Sequence, residues 1–148
     1  PAAILRDAKA FVAFLDSLPE VDRKRGIGSC GYCMGGPFAV RTVAAASARV
    51  TAAASFHGAG LVGEAPDSPH RLLGGTKASF LFAIARNDDA RQPGQKTQLR
   101  EAARAAGRPA EVEVFDADHG WCVPDSPAYD PNAADAAWQR MLALFEKL

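Results

Sequence analysis

The chain has 148 residues, and its 17 basic and 17 acidic side chains cancel to a formal charge of zero. Five lysines and one short basic run, Arg23 to Arg25, match neither nucleic acid nor an anionic lipid surface, and no apolar run approaches membrane-spanning length. Leu, Ile, Val and Phe supply 31 residues and Ala another 31, so the length suits one domain with a lightly filled core.

Ile4, Ala8, Phe11, Leu15 and Leu18 recur at steps of four and three opposite Arg6, Asp7, Lys9 and Asp16, which predicts an amphipathic helix. Pro19 ends it. Residues 26–30 read as a short buried strand and 31–36 as a turn. Phe38, Val40, Val43 and the alanines at 44–46 then fit a helix with Pro37 in its first turn. Residues 50–56, 78–85 and 110–115 are apolar runs of strand length. A helix is expected over 92–106, with Gly107 as its left-handed cap, and Pro66 to Gly75 and Pro124 to Pro131 mark long loops. A last helix, capped by Asn132, carries Ala134, Ala137, Trp138, Met141, Leu142, Phe145 and Leu148 on one face.

Strands separated by helices predict an α/β fold: a parallel sheet with helices on both faces, because parallel neighbours need long crossovers. Ligands gather at the carboxyl ends of such strands. Cys33 follows the first, His57 the second, Asp88 and Asp89 the third, and His119 the fourth.

The sharpest local pattern is Gly31-Tyr32-Cys33-Met34-Gly35-Gly36, a strand-to-helix turn with glycines two positions either side of a thiol. This is a nucleophile elbow with Cys in place of Ser. The glycines are expected where neighbouring backbone comes too close for a Cβ, and the thiol would sit at a helix N-terminus that favours thiolate. The Met34 N–H would face a developing oxyanion. His119 is the expected base and Asp88 its orienter, with Asp89 the alternative acid in another register. Tyr32, His57 and Trp121 are candidate pocket residues.

Other readings of the same residues are weaker. Cys30 and Cys33 have the spacing of a thiol-disulfide oxidoreductase, but Gly35, Gly36 and Pro37 delay the helix beyond the second cysteine. Cys30, Cys33, His119 and Cys122 have the composition of a zinc set, yet the glycine pattern already accounts for Cys33. A non-catalytic binding protein on the same fold is the third possibility. Three cysteines without a visible signal peptide read as free thiols in a reducing cytoplasm.

Gly-Tyr-Cys-Met-Gly-Gly at 31–36, Phe-His-Gly at 56–58, Pro-Asp-Ser-Pro-His at 66–70, Asn87-Asp88 and His-Gly-Trp at 119–121 together resemble the dienelactone hydrolase family of the α/β-hydrolase superfamily. The resemblance implies a Cys33, Asp88 and His119 triad that cleaves small carboxylic esters or lactones through a thioester, with neither metal nor cofactor. Members that cleave dienelactone carry an arginine four residues after the histidine; Val123 stands there, which argues against that literal substrate. The family domain also begins with strands before the helix that opens this chain. The expectation is therefore the carboxyl-terminal part of a larger domain, whose elbow strand lies at an open edge and takes up a preceding segment or another chain.

Overall fold

The computed structural model describes residues 2–148. Four strands, β1 (Ile27–Tyr32), β2 (Val50–Phe56), β3 (Ser79–Ala85) and β4 (Ala110–Phe115), form one sheet in the order β1-β2-β3-β4, every pair parallel. This is the parallel α/β sheet that the sequence predicts. β2 and β3 are buried almost throughout and read as continuous apolar runs, as strands covered on both faces must.

The long helices are α1 (Ala2–Ser17), α2 (Gly35–Ala45), α5 (Gln95–Ala106) and α6 (Pro131–Phe145). Val40 and Val43 of α2 and Leu99 of α5 meet Phe80, Phe82 and Ile84 on one face of the sheet. On the other face, Ala137 and Met141 of α6 meet Phe56, Leu81 and Ala83. Among the described residues no helix is long and apolar enough to cross a membrane.

Three local expectations need correction. In α1 the buried seam is Ala8 and Val12, while Phe11 and Phe14 are 69% and 61% exposed, because the helix packs on α2 along a single stripe. Asn87, Asp88 and Asp89 lie in a short helix, α4 (Arg86–Arg91), whose first-turn carboxylates suit the positive end of the helix dipole. The 66–75 loop holds another short helix, α3 (Pro69–Leu72), followed by a 3-10 turn, Leu73–Gly75. Asp130 rather than Asn132 caps α6, accepting from the amides of Asn132 and Ala133 at 3.0 Å with Pro131 in the first turn.

The register sets Tyr32 beside Phe56, Phe56 beside Ala83, and Ala85 beside Phe115. All four strands therefore finish at one edge, where Cys33, His57, the 86–91 helix and the 116–121 loop collect. β1 pairs only with β2, so the elbow strand is an edge of the described sheet.

Candidate active site

β1 runs two residues further than the sequence suggests, through Tyr32, and the turn is confined to Cys33 and Met34. Cys33 takes a left-handed φ of 51°. For a residue with a Cβ this costs of the order of 1–3 kcal/mol, and it persists because the surroundings fix it. The Cys33 N–H donates to the Phe56 carbonyl at 3.0 Å and to His57 Nδ1 at 3.2 Å, while its carbonyl accepts from the Gly36 and Ala59 amides. Both backbone groups are held, and the thiol is exposed at the crest.

The glycines have unequal parts in this. A Cβ on Gly31 would lie 2.0 Å from the Gly35 carbonyl oxygen, and one on Gly36 would lie 2.3 Å from Ser55 Oγ and 2.8 Å from the Gly58 Cα. Gly35 itself has open space. The close approaches therefore fall on Gly31, where the turn folds the Gly35 carbonyl back onto it, and on Gly36, where the helix following the turn presses against β2 and the loop after it.

Met34 is 67% exposed, and its N–H has no acceptor among the described residues. It is a free donor beside the thiol at the start of α2, which is eleven residues long.

His119 reaches the same edge on the loop after β4. Its backbone N–H donates to Asn87 Oδ1 at 2.9 Å, and its Nδ1 lies 2.6 Å from Asp88 Oδ2. Asp89 points elsewhere, to Lys96 Nζ at 2.6 Å. Arg86 holds the loop from the opposite side, with its guanidinium on Asp116 at 2.7 Å and Asp118 at 3.1 Å. Sequence reasoning missed Arg86 and gave Asn87 no contact of its own. Asp116 and Asp118 alternate at the end of a strand, and such a pair is a signal for a cation opposite.

The three expected pocket residues separate. Tyr32 lines a cavity of about 290 Å³ with Phe56, Cys122, Tyr129 and Trp138. Burial, then nearby Cys30 and Cys122, raises the pKa of its hydroxyl, which stays a neutral phenol. Trp121 is fully buried, stacked on Phe115, and forms core beneath the site rather than a cavity wall. His57 is 2% exposed and sits below the elbow, its ring centre 4.6 Å from that of His119. The 119–121 turn that carries Trp121 has Gly120 at φ 99°, and His57 is held from the β2 side by its N–H on the Ala83 carbonyl at 2.8 Å.

The rival cysteine sets find little support. Among the described residues, no three His, Cys, Asp or Glu side chains come together as a metal-holding group. Burial pushes the Cys122 thiol up to about 11 and raises that of Cys30. Both are poor thiolates at neutral pH.

Known proteins share this fold. The chain is 31% identical to a Synechocystis sp. protein assigned as a carboxymethylenebutenolidase, over 98% of the chain and 59% of the relative. The structure of a protein assigned as a dienelactone hydrolase from Klebsiella pneumoniae superposes with a TM-score of 0.83 at 26% identity, over 97% of this chain and 60% of that one. A dienelactone hydrolase-like promiscuous phosphotriesterase from metagenomic libraries gives 0.80 at 26% identity, over 99% and 62%. The chain thus spans about three fifths of the length of these relatives. The profile of the dienelactone hydrolase family matches residues 1–148 in full, and the chain belongs to that family.

Proposed function

We propose that this chain carries the catalytic machinery of a hydrolase for small carboxylic esters or lactones, with Cys33 as nucleophile, His119 as base, Asp88 as its orienter and the Met34 N–H as an oxyanion donor. One observation carries the reading: a thiol on a backbone-locked, left-handed crest shares a sheet edge with a histidine bonded to a carboxylate at 2.6 Å. Asp88 fixes His119 with its proton on Nδ1, leaving Nε2 to take the thiol proton.

Sulfur attacks the carbonyl carbon, and the Met34 N–H stabilises the resulting oxyanion. Collapse expels the alcohol, which takes its proton from His119. Water, deprotonated by His119, then attacks the thioester; the acid departs and the proton returns to sulfur. Because a thiolate leaves more readily than an alkoxide, activated esters, enol esters and lactones suit this nucleophile. The cavity beside Tyr32 is the place for the organic part of the substrate.

The open edge of β1 and the exposed Phe11 and Phe14 support a further part of the reading. In the full-length protein they are covered by preceding strands, which also bring a second oxyanion donor; a second copy of the chain on that edge is the alternative, and size-exclusion chromatography separates the two. The three free thiols favour the cytoplasm as its compartment.

Steady-state cleavage of p-nitrophenyl acetate by the wild type, Cys33→Ala and His119→Ala tests the function. Loss in both variants supports it. Full activity in Cys33→Ala refutes it.

A further inference from the structure

Cys33 and His57 are the two described residues other than glycine with positive φ, at 51° and 41°, and they are bonded to each other. The His57 backbone is fixed by its N–H on the Ala83 carbonyl at 2.8 Å. Its ring lies between His119, at 4.6 Å between centres, and Trp121, at 5.0 Å and 72°. Because Nδ1 accepts the Cys33 N–H, the imidazole proton resides on Nε2, which is sealed from solvent with no acceptor among the described residues.

A residue that only filled this space would be expected to be apolar. A leucine or phenylalanine would avoid the cost of an unpaired buried donor. His57 carries that cost and a strained φ as well. What it provides in return is an acceptor aimed at the nucleophile's own amide.

We propose that His57 is a positioning residue for Cys33: its Nδ1 holds the Cys33 amide in the left-handed turn that projects the thiol, and its buried ring supports His119 from below. This rests on Cys33 being the nucleophile. Burial first, and then neighbouring His119, keeps the ring uncharged, with a pKa lowered to about 4. A protonated ring would lose the acceptor and repel the imidazolium that forms on His119. The groups facing it are Tyr32 and Cys33 from the elbow side and His119 and Asp88 from the other.

The test combines one measurement on the wild type with two variants. Long-range nitrogen-15 spectra of the wild-type chain are expected to show His57 with Nδ1 unprotonated at pH 7. In His57→Leu, single-turnover acylation by p-nitrophenyl acetate and alkylation by iodoacetamide should both slow, by up to about 10²-fold, since small misplacements of a reacting group cost that much. His57→Asn tolerates the left-handed turn and offers Oδ1 where Nδ1 was, so it should recover most of the rate. An Nδ1-protonated ring in the wild type, or a folded His57→Leu as fast as the wild type, overturns the proposal; the first outcome decides even if the leucine variant does not fold. Cys33→Ala run alongside keeps the two readings apart. If it still cleaves ester, the functional assignment fails; if it is dead while His57→Leu matches the wild type, only the role of His57 fails.

Discussion

Asp88 Oδ2 and His119 Nδ1 lie 2.6 Å apart, joining the helix after β3 to the loop after β4. Asp89, one residue on, turns to Lys96. Asp88→Asn should therefore lower ester turnover by about 10⁴-fold, as loss of an orienting carboxylate does elsewhere. Asp89→Asn should leave turnover within a few-fold of wild type. The reverse ranking in steady-state kinetics would transfer the acid role to Asp89.

Gly31 and Gly35 look equivalent in sequence, yet a Cβ meets backbone at 2.0 Å on the first and nothing within 4 Å on the second. Gly31→Ala should destabilise the fold by about 1–3 kcal/mol or more, because a carbonyl cannot move aside as a side chain can. Gly35→Ala should be neutral, or stabilising by up to about 1 kcal/mol through the unfolded state. Urea unfolding of the two variants measures the difference, and equal effects would contradict the elbow geometry.

The buried His57 makes stability depend on acid. Its folded-state pKa of about 4 lies below the ordinary 6.5, so between these values the unfolded chain binds the proton and the native state does not. Stability should be fully present above pH 6.5 and fall as the pH drops, with a loss of about 3 kcal/mol near pH 4 from this group. Urea midpoints taken across pH 7 to 4 read it, and His57→Asn should flatten that slope.

Three thiols differ in setting. Cys122 is half-buried and pushed up to about 11 by burial; Cys30 and Cys33 are both exposed, but partial desolvation raises the Cys30 thiol, whereas Cys33 stands on the crest of the turn. At pH 7.5 iodoacetamide should label Cys33 at least about ten times faster than either, since reactivity follows the thiolate fraction and access. Peptide mapping over time checks this. Cys30 reacting first would instead favour the redox reading.

Much of this arrangement is legible in the chain. Central parallel strands are covered on both faces, so residues 50–56 and 78–85 stand out as apolar runs, and the glycine spacing around Cys33 marks the elbow. What escapes has physical causes. Asn87, Asp88 and Asp89 are turn formers that lie in a helix here, where His119 takes the Asp88 carboxylate and Lys96 that of Asp89. In α1 the apolar residues leave more than one stripe available, and only the partner helix decides that Val12 is buried while Phe11 and Phe14 are not. Gly31 is shut in by the Gly35 carbonyl four residues on, but that Gly36 also has no room for a Cβ depends on how closely α2 approaches the loop at Gly58, a long-range contact without a local signature. For the same reason His57 reads as a pocket residue in sequence but lies beneath the elbow in the fold.

Trapping the acyl-enzyme tests the central claim most directly. After a brief exposure of the chain to an activated acetate ester and an acid quench, intact mass and peptide mapping should find one acetyl group, carried by the peptide that contains Cys33, and His119→Ala should slow its appearance. An acetyl group on Cys30 or Cys122, or ester cleavage that proceeds unchanged when Cys33 is replaced by Ala, would contradict the account.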